Sequence, residues 1–407
     1  MNAKEIILYP YRWVVLAVFF LITVVIEIQW LAFAPVAREA REFYGVSAFQ
    51  VDLLSILFMA VFLVMCVPAS YVIDKKGIRI GIGLGAAMTG VFSVLKGVFA
   101  HDFTMILACQ FFLALAQPFI LNATTKVAVR WFPVNERATA VGIATLAQFV
   151  AIILVMMATP FLIKGAAPGE YNFSNMLIIY GAAAAVVSVL VLLLLKENPP
   201  TPPDIITHEE SFHFFEEMRK LLKKPDTIKV LGLFFIGLGI FNALSTCIDQ
   251  LCEQKGLTVE QTGMVGGIMF IAGIVGALTL PTLSDKQGKR KPYIILAMAL
   301  MIPGVAGLAY ATDYTTVLIS SAIMGFFLLG AGAPVGFQYG AEVSYPSPES
   351  ITQGLILLTG QISGIIFILI VNSAGIAAFM TASVVLSLGA LAISLILRES
   401  PLTKKVS

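Results

Sequence analysis

The sequence predicts an all-α membrane protein, with twelve transmembrane helices in two six-helix bundles. Three observations predict it. Only 12% of the 407 residues are charged while 58% are hydrophobic, and mean hydropathy is +0.92. Ordinary soluble domains carry about 25% charged residues, so this chain cannot clothe a soluble body of its size in polar groups. Apolar runs of roughly 20 residues, the length that crosses a hydrocarbon core, recur along the whole chain, and the loops between them repeat halfway. A soluble enzyme and a disordered chain are excluded. With 26 basic residues against 24 acidic ones, the charge pattern also lacks the footprint of a nucleic-acid binder.

In order, the first-half spans are read as 13–35, 50–73, 78–99, 103–127, 137–162 and 173–195. Those of the second half are 227–251, 259–283, 292–311, 314–340, 350–372 and 375–397. A β-barrel would show short alternating segments instead. The N-terminal stretch before span 1 is too short and polar for a cleavable signal. The Lys/Arg distribution orients the spans. With both termini cytoplasmic, Arg38, Arg41, Lys96, Lys164 and Lys255 fall on the outer side or at outer helix ends, and the other basic residues lie inside. The expected location is the cell inner (plasma) membrane, the lipid bilayer being a partner of every span.

The expected organisation is a bundle over 1–197, a cytoplasmic linker over 198–226, and a second bundle with a short tail over 227–407. The linker opens on Glu197-Asn-Pro-Pro-Thr-Pro-Pro-Asp204, which cannot continue a helix. Thr207-His-Glu-Glu210 then has a capping-box pattern. Phe212, Phe215, Met218, Leu221 and Leu222 follow at helical spacing beside Arg219, Lys220, Lys223 and Lys224, which reads as an amphipathic helix on the leaflet or against the bundle.

Asp74-Lys-Lys-Gly77-Ile-Arg79 follows span 2, and Asp285-Lys-Gln-Gly288-Lys-Arg290 follows span 8. Both read D-x-x-G-x-R, six spans apart. A second pair follows spans 4 and 10: Phe132-Pro133-Val-Asn-Glu136 and Tyr345-Pro346-Ser-Pro-Glu349, with Gly142 or Gly354 shortly after. Two parallel six-span repeats are the layout of the major facilitator superfamily, which the chain resembles along nearly its whole length. Glycine permits the tight reversal between helices. Each Asp can cap the next helix and pair with Arg130 or Arg137 of the neighbouring loop, a latch that would break when the halves rock. Asp74, Gly77, Arg79, Arg130, Arg137, Asp285, Gly288, Arg290 and Glu342 are therefore the expected gate.

A narrower resemblance rests on Gln29-Trp30, Phe43-Tyr-Gly-Val46, Asp52-Leu-Leu-Ser55, Pro68-Ala-Ser-Tyr71, Ala116-Gln117-Pro-Phe-Ile-Leu121, Ala243-Leu-Ser-Thr246 and Glu342-Val-Ser-Tyr-Pro346. Together these resemble the FLVCR family, the feline leukaemia virus subgroup C receptor-related transporters, and the short tails resemble a prokaryotic member. The resemblance implies transport of choline or ethanolamine, with haem export also associated with the family. It also implies substrate contacts at Trp30, Gln117 and Gln361. Two features depart from the pattern. Relatives carry an aromatic pair where this chain has Phe241-Asn242, and they are neutral where it has Glu27.

Ionisable groups inside a span are costly and usually face a cavity. Glu27 lies in an apolar run, about 21 Å along the helix from Trp13. It is the candidate for proton uptake or for holding a cationic substrate; the alternative is a helix–helix hydrogen bond made by its protonated form. Trp30, three residues on, shares its face, and an indole suits cation–π contact with a quaternary ammonium; the alternative is an interfacial belt residue. Gln117, Asn242 and Gln361 could bind substrate or join helices. Asn242, Ser245 and Asp249 are read on one face of span 7, with Asp249 a second candidate for proton or cation coupling.

Four cysteines (Cys66, Cys109, Cys247 and Cys252) form no CxxC pair, and the three histidines (His101, His208 and His213) lie in loops or in the linker helix. No metal site or cofactor is expected. The reading is a monomeric transporter, not an enzyme, that moves a small organic cation by alternating access. The alternatives are a proton-coupled carrier of another solute, such as haem or a drug, and a non-transporting receptor.

Overall fold

A computed structural model describes residues 8–165, 170–201, 203, 214–347 and 349–400. The predicted capping box at Thr207, together with His208 and His213, lies outside the described residues. Among these described residues, twelve helices are long and apolar enough to span a membrane. They are span 1 (Tyr11–Tyr44), span 2 (Ala48–Lys76), span 3 (Ile78–Val98), span 4 (Phe103–Trp131), span 5 (Thr139–Leu162) and span 6 (Phe173–Leu194). The second set comprises span 7 (Pro225–Thr246), span 8 (Val259–Gln287), span 9 (Lys291–Tyr310), span 10 (Tyr314–Ser344), span 11 (Ile351–Ala374) and span 12 (Ile376–Leu395). Span 1 is broken: its helix stops at Leu31, and a 3₁₀ turn, Ala34–Val36, leads into a second helix, Ala37–Tyr44.

The chain divides into two units, Met1–Phe33 with Glu39–Glu209, and Ala34–Arg38 with Glu210–Ser407. Within the first unit, span 1 packs on span 5, span 2 on span 4 and span 3 on span 6. Within the second, span 7 packs on span 11, span 8 on span 10 and span 9 on span 12. Small residues make the close approaches possible. A Cβ on Gly181 of span 6 would stand 2.7 Å from the Ser93 carbonyl oxygen of span 3. One on Gly330 of span 10 would stand 2.4 Å from the Cα of Gly276 in span 8. Gly330 lies in a π-helical stretch, Gly325–Gly332.

The caps repeat as well. Ser47 with Gln50 and Thr258 with Gln261 form capping boxes before spans 2 and 8. Asp102 and Asp313 accept backbone N–H bonds at the starts of spans 4 and 10. Gly77 (φ 92°) and Gly288 (φ 60°) end spans 2 and 8 in a conformation that other residues rarely adopt. The linker helix, Phe214–Leu221, buries Leu221 against Ile351 and Leu355 of span 11. Met218 packs against the same cluster, while Leu222 stays exposed.

Candidate functional site

Within the first unit, Glu27 is enclosed at 1% exposure. Its Oε1 accepts from Gln117 Nε2 at 2.9 Å. Among the described residues no cationic side chain pairs with it. The sequence pattern alone could not say that Gln117 of span 4 meets Glu27 of span 1; two residues singled out separately are one contact. Trp30 packs at the edge of the apolar core of this unit. Its carbonyl accepts from Ser55 Oγ at 3.2 Å, while its buried indole N–H finds no acceptor among the described residues.

Sequence reasoning passed over a second buried charge. Lys96 was counted among basic residues at helix ends, yet in the last turn of span 3 it is completely enclosed, at 0% exposure. Its ammonium donates to Gln110 Oε1 at 2.7 Å and to Gln29 Oε1 at 3.2 Å. It also lies 5.3 Å from the centroid of the Phe33 ring. Gln110 Nε2 in turn donates to the carbonyls of Gln29 (2.8 Å) and Leu54 (3.2 Å). The available signal was position: Lys96 stands two residues inside the end of an apolar run, where a lysine is unusual.

In the second unit, Asn242 does not stand free. Its Nδ2 donates to the Gly360 carbonyl at 3.0 Å, joining span 7 to span 11. Gln361, the next residue along span 11, is half-buried, and its amide has no protein partner among the described residues. Phe241 meets Phe270 edge to face at 5.6 Å. It lines a narrow apolar cavity with Phe234, Met298, Leu328 and Tyr339, with only about 30 Å³ open to a water-sized body. That space suits a water molecule or two, not a substrate. Asp249 is not on the face of Asn242 and Ser245, because span 7 stops at Thr246 and Asp249 sits on a separate helix, Ile248–Gln254. There, wholly buried, it meets Arg38: Oδ1 accepts from Nε at 2.8 Å and Oδ2 from the Arg38 backbone N–H at 2.6 Å. The same guanidinium donates to the Leu257 carbonyl (2.7 Å) and to Thr262 Oγ1 (3.1 Å). Asp249 is the anchor of an ion pair, a contact that no helical period reveals.

The duplicated turns are built from charge, but not with the partners expected. Asp74 pairs with Lys126 instead of Arg130 or Arg137. Arg130 pairs with Glu197, and Arg137 donates to the Phe132 carbonyl at 3.2 Å. In the second unit Arg290 is the hub, paired with both Asp285 and Glu342. Burial works against its charge, but the two carboxylates prevail and hold its pKa above the ordinary value. Glu342 is fixed further by Gln338 Nε2 at 3.0 Å.

A third duplicated motif went unread. Lys196-Glu197-Asn-Pro199 and Arg398-Glu399-Ser-Pro401 follow spans 6 and 12. Glu197 accepts from the backbone N–H groups of Ile78 (3.1 Å) and Arg79 (2.7 Å), and Glu399 from those of Arg290 (2.9 Å) and Lys291 (3.2 Å). Each carboxylate thereby caps the positive end of the third helix of its unit. No group of three or more His, Cys, Asp or Glu residues suited to a metal occurs among the described residues.

The paired six-helix units and the charged groups buried inside them define a polytopic membrane transporter. The chain belongs to the Major Facilitator Superfamily, whose model matches residues 15–368. It is 28% identical over 387 residues to Solute carrier family 49 member A3 of Danio rerio, covering 91% of this chain and 80% of that protein. It is 27% identical over 372 residues to the Choline/ethanolamine transporter FLVCR2 of Homo sapiens, covering 88% of this chain and 70% of that one. Among solved structures, a bacterial homologue of the human lysosomal transporter Spinster, inward-facing and unoccupied, superposes with a TM-score of 0.74 at 18% identity, covering 97% of both chains. A D-xylose–proton symporter superposes with a TM-score of 0.72 at 14% identity, covering 97% of this chain and 99% of that one. These likenesses bear out the superfamily fold and the FLVCR-like character expected of the sequence.

Proposed function

We propose that the chain carries a small organic cation of the choline or ethanolamine type across the cell membrane by alternating access. One observation carries this reading: Glu27 is enclosed within its bundle with an amide as its hydrogen-bond partner and, among the described residues, no cationic side chain paired with it. An isolated carboxylate away from water is costly unless a cation or a proton joins it. Trp30, three residues along the same helix, would offer its ring face to an ammonium, and its unpaired indole N–H would meet a hydroxyl oxygen. Gln117 would fix Glu27, and Gln361, half-buried in span 11, is a further amide that would serve a substrate. Asn242 is committed to Gly360 and would act through the backbone of span 11. The name of the human relative, a choline/ethanolamine transporter, supports this chemistry. The Lys/Arg asymmetry supports both termini lying in the cytoplasm, which would make the turns at Asp74 and Asp285 an inner gate.

The test is a thermal-shift and liposome-uptake screen of purified protein with choline, ethanolamine, amino acids, haem and drugs. Choline should stabilise the wild type, and Trp30→Ala and Glu27→Gln should each weaken its binding by about tenfold or more, roughly 1.4 kcal/mol or more. Equal stabilisation of wild type and Trp30→Ala would sink the cation site. The same lone carboxylate admits a second reading, in which Glu27 takes a proton and couples its gradient to another solute. Flux that follows a pH gradient and not membrane potential, and that is lost in Glu27→Gln, would favour it.

A further inference from the structure

Lys96 is a buried ammonium for which the proposed transport cycle has no use. Burying a charge without a counter-charge costs several kcal/mol, yet among the described residues no carboxylate pairs with Lys96. Its surroundings supply a different compensation. The first helix of span 1 ends at Leu31, so the carbonyls of its last turn have no helical partners. These carbonyls form the negative end of the helix dipole, and the turn carries no basic residue of its own. Neighbouring helices satisfy them: Gln110 of span 4 donates to the Gln29 carbonyl, and Ser55 of span 2 donates to the Trp30 carbonyl. Lys96 of span 3 brings the missing cation, bonded to the Gln29 side chain and lying against the face of Phe33, which follows the helix end.

Three helices thus converge on one helix end, and that end carries Trp30 with Glu27 one turn before it. We infer that Lys96 is a positioning residue: its charge fixes the C-terminal turn of the first helix and with it the orientation of Trp30 and Glu27. The inference rests on the reading of those two residues as the substrate site, but the geometry it invokes can be measured without any substrate. Lys96 reaches the turn through the Gln29 and Phe33 side chains and through Gln110, whose amide holds the Gln29 carbonyl, so its loss moves the side chains that the turn presents while leaving their own chemistry intact.

The experiment uses the full chain with Trp13→Phe and Trp131→Phe, which leaves Trp30 as the only tryptophan. In this background Lys96→Met, close in length but uncharged, should red-shift Trp30 emission and raise its quenching by acrylamide. Lys96→Arg should restore both. In liposomes Lys96→Met should raise the KM for choline by about tenfold, the ratio given by roughly 1.4 kcal/mol, with the maximal rate changed less than twofold. Should Lys96→Met fail to fold, Gln110→Leu, which removes the amide bonds to the same turn, should shift Trp30 emission in the same direction. Trp30 emission and quenching unchanged in folded Lys96→Met, or in Gln110→Leu, overturns the inference. A wild type that neither binds nor moves choline ends the substrate reading instead and leaves the emission measurement to decide the role of Lys96.

Discussion

The two bundles share their helix ends and differ in what they bury. Capping boxes open spans 2 and 8, Asp102 and Asp313 open spans 4 and 10, and Glu197 and Glu399 cap spans 3 and 9. Inside, the likeness ends. Beside the buried carboxylates Glu39 and Asp52, the first unit encloses Glu27 and Lys96, each of these two held by amides. In the second, the enclosed carboxylates Asp249 and Glu342 are paired with Arg38 and Arg290. A duplicated fold needs its caps twice, because every helix end leaves unsatisfied backbone groups. It needs its special charges once, and those are where one repeat departs from the other.

The comparison breaks most sharply at Asp249. Removing one member of a buried pair strands the other, at a cost of about 3–5 kcal/mol. Asp249→Asn should therefore lower thermal stability in detergent by an amount of that order, and Arg38→Gln alone by a similar one. The double variant should recover part of the loss, since neither charge is then left alone. Glu27→Gln, which removes a charge that has no ionic partner, should cost little or raise stability. A thermal-unfolding series on the four variants decides. Equal losses for Glu27→Gln and Asp249→Asn would mean that the two units bury charge in the same way after all.

A smaller difference separates the two D-x-x-G-x-R turns. Arg290 is 11% exposed at its side chain and joins two carboxylates, one of which, Glu342, is itself only 7% exposed. Charge-assisted bonds in such a setting are worth about 1.5–3 kcal/mol, so Arg290→Ala should cost an amount in that range. Asp74, paired with Lys126, is 63% exposed. Solvent-exposed ion pairs contribute roughly 0–1 kcal/mol, so Lys126→Ala should be nearly silent in stability. Measured unfolding free energies that rank Lys126→Ala above Arg290→Ala would reverse this assignment of the stronger latch to the second unit.

How much of this could be read beforehand depends on the range of the interaction involved. Hydrophobic runs located all twelve spans, because crossing a bilayer is a local requirement on some 20 consecutive residues. The turn glycines Gly77 and Gly288 were legible for the same reason, since a positive φ is a demand on one residue. Glu27 stood out as a charge in an apolar run. Its partner did not: which amide reaches it depends on how spans 1 and 4 pack, and spacing along the chain is silent on that. The same holds for Lys96, whose three contacts come from spans 1 and 4, and for Asp249, whose partner lies more than 200 residues away, on the second helix of span 1. Asp74 was given the wrong cation because Lys126, Arg130 and Arg137 all lie near the same turn in sequence, and only the fold chooses among them. Glu197 and Glu399 were missed although their motif is duplicated, since the proline run after Glu197 reads first as the start of a linker.

The smallest expected effect tests where the repeats should agree. Asp102 accepts from the backbone N–H groups of Thr104 and Met105 (2.9 and 3.2 Å), and Asp313 from that of Thr316 (2.8 Å). Both follow a loop, and the sequences read Asp102-Phe-Thr and Asp313-Tyr-Thr. Replacement of either by Ala removes an N-cap of the same kind, and the two losses should be small and equal. For Asp313 the pH dependence has a definite sign. The N–H of Thr316 holds its pKa below the ordinary carboxylate value. The stabilisation is therefore fully present above the unfolded pKa, about 3.9, and is lost as pH falls through the lower folded value. Asn caps nearly as well as Asp without titrating, so Asp313→Asn should keep the stability near neutral pH and lose only this acidic dependence. Unfolding followed from pH 7 down to about pH 3 checks it. Unequal losses for Asp102→Ala and Asp313→Ala would show that the symmetry of the caps is one of sequence and not of energy.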